Sequence, residues 1–287
     1  MDATELLKKV RKIEIKTRGL SKHIFAGEYH SAFKGRGMAF SEVREYQYGD
    51  DVRNIDWNVT ARFNRPYIKI FEEERELTVI LLVDVSGSEE FGTAVETKKE
   101  LITELAAVLS FSAIQNNDKI GVIFFSNKIE KFIPPKKGRK HILRIIRELL
   151  DFKAENKLTD ISEALRYLTN AIKKRSTVFV ISDFMDKDFS NAMKIASHKH
   201  DVIALKVFDI RETELPSVGL IHMKDAETGK MVWVDSSDSK TRFAYKNWWK
   251  NSEKNLNDIF KKSGVDFTTL RTDEDYVKPL MKLFKNR

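Results

Sequence analysis

The run Val79-Ile-Leu-Leu-Val83 leads directly into Asp84-Val-Ser-Gly-Ser88. Five consecutive aliphatic side chains leave no polar face, so the strand they predict must be covered on both sides. Sheets covered on both sides are the parallel sheets of α/β folds, and these meet their ligands at the carboxyl ends of the strands. Here that end carries one carboxylate and two hydroxyls at alternate positions, Asp84, Ser86 and Ser88. Hard oxygens of this kind suit Mg²⁺, which takes oxygen ligands at about 2.0–2.1 Å and keeps several waters.

The rest of the chain fits such a sheet. Residues 2–18 predict a helix with Leu6, Leu7, Val10 and Ile13 on one stripe, stopped at Gly19. Residues 20–75 mix aromatics, glycines and alternating patches such as Tyr67-Ile-Lys-Ile-Phe71, which predicts short strands and loops. Strand–helix alternation begins at Leu77. Strands are expected at 77–84, 119–126, 177–182, 201–207 and 266–270, with a short edge strand at Lys131–Ile133 before Pro134-Pro135. Helices are expected at 95–116, 138–152, 160–174, 188–199, 240–262 and 274–285. Gly219–Met223 and Lys230–Val234 flank a turn containing Glu227-Thr-Gly229 and predict a β-hairpin. The expected architecture is α/β, a Rossmann-like, doubly wound, mostly parallel sheet over 76–287 with a hairpin insertion near 215–240. A smaller N-terminal block with a helix and short strands occupies 1–75.

Composition excludes several classes. The chain has no cysteine, which rules out disulfides, thiolate metal sites and cysteine nucleophiles. No apolar run approaches the roughly 18 residues of a membrane span, and the charged Met1–Val10 lacks the apolar stretch of a leader, so a cytoplasmic protein is expected. The six histidines are scattered without zinc spacing. Neither a Gly-x-Ser-x-Gly elbow nor a Gly-rich Lys-Ser/Thr phosphate loop occurs. Ser86 stands where an aspartyl-phosphate phosphotransferase would be expected to carry a second aspartate. The formal net charge of +8 leaves nucleic acid, anionic lipid and acidic proteins as candidate partners.

Two further strand ends offer oxygen ligands. Ser182 and Asp183 follow the strand 177–181, and Thr159 and Asp160 open a helix within Asn156–Ile161. Taken singly, each residue is an ordinary turn or cap residue, Thr159 being a plausible N-cap. Taken together, Asp84, Ser86, Ser88, Thr159 and Asp183 form a metal-ligand set of two carboxylates and three hydroxyls. Such a set leaves a coordination position open, and an Asp or Glu of a partner protein is its natural visitor.

Asp84-Val-Ser-Gly-Ser88, with Thr159 and Asp183, resembles the metal-ion-dependent adhesion site of von Willebrand factor type A domains. The block Gly35-Arg-Gly-Met-Ala-Phe-Ser-Glu through Asn54-Ile-Asp-Trp-Asn-Val-Thr-Ala-Arg62 resembles the signature of the domain of unknown function 58 family, whose members join such a block to a type A domain. The resemblance spans roughly 20–210. It implies a Rossmann-like fold, a divalent ion (Mg²⁺, or Mn²⁺ or Ca²⁺) and a non-enzymatic, protein-binding role. It assigns the ion to Asp84, Ser86 and Ser88, with Thr159 joining when ligand arrives and Asp183 acting directly or through water. It also implies a MoxR-type AAA+ ATPase as partner in remodelling or maturing a client. The glycines that often precede the threonine are missing before Thr159, and Phe184 follows Asp183 where glycine is common.

Other features carry plainer expectations. The basic segment 128–147 holds eight Lys or Arg against a lone Glu130, but lacks interleaved aromatics for base stacking, so an acidic protein surface suits it better than nucleic acid. Asp50, Asp51 and Asp56 are candidates for a second cation site. The plainer expectation is that Asp50 caps a short helix, Arg53 pairs with a carboxylate and Trp57 packs between domains. Trp248 and Trp249 are candidates for an exposed anchor, and burial against the hairpin is the plainer expectation. A metal-dependent hydrolase remains the alternative for the Asp84 motif, although no His or Glu in its loops is placed as a general base. Nucleic-acid binding through 128–147 is the other alternative.

Overall fold

The computed structural model describes residues 39–72, 77–90, 97–186, 188–224 and 230–287. The predicted helix at 2–18 and the hairpin turn Glu227–Gly229 lie outside the described residues. The chain divides into two compact units, Lys34–Leu77 and one that contains Thr78–Arg287.

In the smaller unit, β1 (Ala39–Glu45) pairs antiparallel with β2 (Tyr67–Glu72), and α1 (Trp57–Phe63) lies between them in sequence. Asp50, Asp51 and Asp56 are engaged locally. Asp50 clamps Arg44 through two bonds of 2.8 and 2.9 Å and accepts from the Gln47 backbone, which holds its carboxyl below the usual range. Asp51 caps the 3-10 turn Val52–Asn54 and lies 3.7 Å from Arg53. Asp56 caps α1 through the amides of Asn58 and Val59. Helix capping therefore falls to Asp51 and Asp56 rather than to Asp50. Trp57, expected to pack between domains, is the first residue of α1 and is 70% exposed.

The larger unit is an α/β fold on a six-stranded sheet. Its strands are β3 (Thr78–Asp84), β4 (Lys119–Phe125), β5 (Ile129–Lys136), β6 (Thr177–Ser182), β7 (Asp201–Phe208) and β10 (Asp266–Arg271), in the order β10-β7-β6-β3-β4-β5. All neighbours are parallel except the edge pair β4–β5. The separate hairpin is β8 (Leu220–Lys224) with β9 (Met231–Asp235). The helices are α2 (Lys98–Gln115), α3 (Arg139–Asp151), α4 (Ile161–Ala171), α5 (Ser190–Lys199), α6 (Ser239–Ser263) and α7 (Val277–Lys285).

Both faces of β3 are sealed, as its composition requires. Ile80 and Leu82 pack with Val178 and Val180 of β6 under Leu165, Leu168, Met193 and Phe260 from α4, α5 and α6. Side chains alternate across a strand, so Val79, Leu81 and Val83 face the opposite layer. There α2, buried on nearly every side, packs beside α3, and Phe284 of α7 meets Phe179 edge-on. Helix α2 starts at a capping box: Thr97 Oγ accepts from the Glu100 amide, and Glu100 accepts from the Thr97 amide.

Strand β3 lies between β4 and β6. The chain runs outward from β3 to β4 and β5, then returns to the other side of β3 through α3 and α4. The strand order thus reverses at β3 and β6, and α/β sheets bind ligands in the crevice beyond that point.

The edge strand β5 runs through Pro134 and Pro135 rather than ending before them, because a strand edge facing solvent tolerates the missing amides. The register slips opposite Gly121, between the Ile120–Lys136 and Val122–Ile133 pairs. A Cβ at Gly121 would stand 2.9 Å from the Pro135 nitrogen and 3.0 Å from the Ile133 oxygen. Gly121→Ala should therefore push β5 outward at a cost of about 1–3 kcal/mol. In a thermal melt that is a fall of roughly 2–4 °C per kcal/mol. An unchanged midpoint would show that β5 yields freely.

Candidate metal centre

Asp84 ends β3 and Ser182 ends β6, side by side in the parallel register in which Val83 faces Ile181. The Ser182 hydroxyl donates to Asp84 Oδ2 at 2.6 Å, and the Ser86 amide donates to Oδ1 at 3.0 Å. The Ser86 and Ser88 hydroxyls are 3.1 Å apart, and the Ser88 hydroxyl also bonds Asp183. Four of the five predicted ligands, Asp84, Ser86, Ser88 and Asp183, therefore form one hydrogen-bonded group.

Thr159 sits in the third loop at the same rim. The Gly87 amide donates to the Lys157 carbonyl at 3.0 Å, and the Asp160 amide donates to the Ser126 carbonyl beyond β4 at 3.1 Å. Asp160, not Thr159, is the N-cap of α4, accepting from the Glu163 amide at 2.7 Å. Asp186 accepts from the Ile161 amide at 2.7 Å and ties this loop to the one carrying Asp183.

The backbone beyond β6 is bent sharply. Phe184 has φ of +56°, a left-handed conformation uncommon for bulky residues, at the position where glycine is common in the resembled adhesion site. Its amide donates to Ser182 Oγ at 3.0 Å, and the Met185 amide donates to Asp183 Oδ1 at 3.1 Å. Its buried ring packs on Phe189 and Phe260 with centroids 5.9 and 5.1 Å away. Packing and turn hydrogen bonds together hold the strained residue.

The sequence reading missed two charged members of the site. Lys98, in the first turn of α2, is fully buried, and its Nζ lies 3.0 Å from Asp183 Oδ2 and 2.6 Å from Glu212 Oε1. Glu212 belongs to the 3-10 turn Ile210–Glu212 that follows β7. A signal for Lys98 was present: it occupies the apolar stripe of α2 with Leu101, Ile102 and Leu105, where a cation needs a buried partner. A lysine at a helix N-terminus also opposes the helix dipole, so nearby acids must hold it there. Glu212 gave no comparable signal beyond following a strand end.

The electrostatics separate the two aspartates. Burial, then the neighbouring charge of Asp183, pushes Asp84 from its ordinary 3.8 up to about 7, against the opposing bonds from Ser182 and Ser86. Burial also raises Asp183, but the Lys98 ammonium and the Met185 amide outweigh it and leave Asp183 below its ordinary value. Burial raises Glu212 despite Lys98. Of the three buried or half-buried acids, Asp183 and Glu212 share one ammonium and Asp84 has none. Among the described residues no three His, Cys, Asp or Glu side chains converge as a metal-binding cluster. The set instead offers two carboxylates supplemented by serine hydroxyls. This donor chemistry, with its excess of buried negative charge, fits a small divalent cation. A cavity of about 30 Å³ beside Asp84 and Ser86 has room for one water.

The basic segment is partly neutralised by acids just beyond it in the chain. Lys128 pairs with Glu155, and Lys131 pairs with Glu148 at 2.6 Å. Glu130 is spent on the Ser126 hydroxyl and the Asn156 amide.

The family described as "Protein of unknown function DUF58" matches residues 42–255. An uncharacterized protein of Mycobacterium tuberculosis is 28% identical over 291 residues, covering 100% of this chain and 91% of its own length. The conserved hypothetical protein BatB from Bacteroides thetaiotaomicron superposes with a TM-score of 0.50 at 16% identity, over 73% of this chain and 98% of its own. An aerotolerance-related membrane protein from Bacteroides fragilis gives 0.51 at 16% identity, over 74% and 100%. These likenesses are ones of fold. Among the described residues no helix is long and apolar enough to cross a membrane.

Two stability measurements follow from the charges. Lys98→Met removes the ammonium but leaves Asp183 and Glu212 in place, and should destabilise by about 3–5 kcal/mol in urea unfolding. A loss below about 1 kcal/mol would show that water already screens the pair. For Asp84 the folded pKa lies above the unfolded one, so its contribution is complete below about 4 and lost as pH rises through about 7. In EDTA, Asp84→Asn should therefore gain on the wild type across that window, by about 1–3 kcal/mol at pH 8. A pH-independent difference would contradict the assignment.

Proposed function

The chain belongs to the DUF58 family of proteins of unknown function, and from the geometry above we propose that it is a non-enzymatic adaptor that grips a partner carboxylate through a divalent cation. Asp84, Ser86 and Ser88 would hold the ion, with Thr159 and Asp183 at the same rim. Mg²⁺ suits the donor set best; Mn²⁺ and Ca²⁺ share its preference for oxygen. The bound ion would supply an electrophilic position for an Asp or Glu of another protein.

The observation that carries this reading is the state of Asp84. It is almost wholly buried at the strand-order reversal, oriented by Ser182 and the Ser86 amide, and its charged neighbour is another acid. A carboxylate so placed gains its counter-charge from outside the fold. Asp183 differs in having Lys98, which suits a residue acting through water rather than as a direct ligand. The surrounding hydroxyls satisfy the carboxylate oxygens without neutralising them. A MoxR-type AAA+ ATPase is the proposed partner, in remodelling or maturing a client, and this rests on the family resemblance alone.

The test joins stability to binding. Mg²⁺ at about 100 times its Kd should stabilise the wild type by about 2.7 kcal/mol, a rise of several degrees in Tm. Asp84→Asn should show no such rise. Immobilised protein should retain a purified MoxR-type ATPase in Mg²⁺ and release it in EDTA. Equal retention in both buffers would defeat cation-mediated capture, and a Mg²⁺ shift that survives in Asp84→Asn would move the ion elsewhere.

A further inference from the structure

The hairpin β8–β9 and the first turns of α6 face one another across an open groove. The strand register pairs Ile221 with Val234 and Met223 with Val232, and alternation places these four on one face of the hairpin. Opposite stand Thr241, Ala244, Tyr245 and Trp248, at the i, i+3, i+4, i+7 spacing of a single helical stripe. The space between has a volume of about 560 Å³, within the range of specific binding pockets. Val232 remains 56% exposed and Trp248 49% exposed, so the two apolar walls do not close on each other. A lone two-stranded hairpin is marginal in water, and here its apolar face lacks a full cover.

The groove is held open by its supports. Trp249 is turned into the core under Lys206, whose Nζ lies 4.7 Å from the ring centroid and which pairs with Glu253. This fixes the rotation of α6 and leaves Trp248 facing the groove. The Tyr245 hydroxyl donates to the Glu212 carbonyl at 3.0 Å, anchoring the same helix to the turn beyond β7.

The rim charges select the occupant. Ser239–Lys250 carries Lys240, Arg242, Lys246 and Lys250 and no acid. Among the described residues, three neighbouring acids are engaged within the fold. Asp238 caps α6, Asp235 accepts from Ser237, and Glu214 pairs with Lys246 at 3.0 Å. Arg242 donates to the Ser217 hydroxyl and the carbonyls of Ser236 and Ser237 and also acts on the nearby Asp238 carboxylate, while Lys240 and Lys250 remain exposed at the rim. An apolar slot between a helix and a ribbon, rimmed by lysines, is complementary to an amphipathic helix with acidic flanks. We propose that this groove docks an acidic amphipathic helix of a protein partner. Its concavity favours a helix over a lipid surface, which would demand a flat or convex apolar face.

The test uses the full chain in EDTA, so that its outcome is independent of the cation. The probes are two labelled synthetic peptides of roughly 18 residues, five helical turns, with the same leucine stripe and either Glu or Lys on the flanks. Vesicles of phosphatidylglycerol are a third probe. Anisotropy should show saturable binding of the Glu peptide, at least about tenfold tighter than the Lys peptide. Ala244→Glu and Val232→Asp, both at exposed positions, should each weaken it about tenfold with unchanged circular dichroism and melting. Four results would overturn the proposal: no saturable binding of the Glu peptide, equal affinity for both peptides, binding indifferent to both variants, or vesicle binding that the variants abolish in place of peptide binding.

Discussion

Asp84, Asp183 and Glu212 gather where the central strands end, and one buried ammonium, that of Lys98, meets two of them. Charge buried at this density is costly unless each group finds a partner, and the surrounding architecture supplies those partners. The capping box at Thr97 and Glu100 starts α2 so that Lys98 points inward. The 3-10 turn after β7 brings Glu212 to it, and the bend at Phe184 turns the Met185 amide onto Asp183. Asp84 receives hydroxyl and amide bonds but no ammonium, and this inequality gives the two aspartates different characters.

The location follows from topology. Only where the strand order reverses do the loops after β3 and β6 diverge enough to leave a crevice, and there Asp84 and Asp183 stand on adjacent strand ends. The loop before α4 joins them through a main-chain bond from Gly87 to Lys157 and a bond from the Ile161 amide to the Asp186 carboxylate. These contacts hold the rim together, while the hydroxyls of Ser86 and Ser88 bond each other and the two aspartates.

The surface is organised differently from the site. In the 39–72 segment every acid in the run Asp50–Asp56 is spent on a cap or an arginine clamp. Along 128–147 two acids that follow the segment, Glu148 and Glu155, quench part of the positive charge. Around the hairpin the balance differs: acids serve caps, turns and one ion pair, Lys240 and Lys250 are exposed, and apolar side chains of β9 and α6 stay in water. Charge and apolar surface thus coincide at the groove between hairpin and helix, which is the composition of a protein-docking surface.

Periodicity alone determined most of the architecture. Runs such as Val79–Val83 and Thr177–Ser182 admit only doubly covered strands, the stripe Leu101, Ile102, Leu105 and Leu109 admits only a buried helix, and the hairpin was legible from its two alternating runs. Asp84, Ser86, Ser88 and Asp183 were legible as strand-end oxygens because a parallel sheet brings its carboxyl ends together whatever its loops do. Only the tertiary structure decided which charges share the site. The partners of Lys98 lie 85 and 114 residues away along the chain, and no local pattern encodes such a meeting. Tertiary packing likewise decided that Phe184 could hold a left-handed turn without glycine, through Phe189 and Phe260, and that Trp249 would be buried while Trp248 stayed half in water. Local sequence sets the period and the caps; burial and long-range pairing set the charge of a site, because both depend on groups that become neighbours only when the sheet and its helices close.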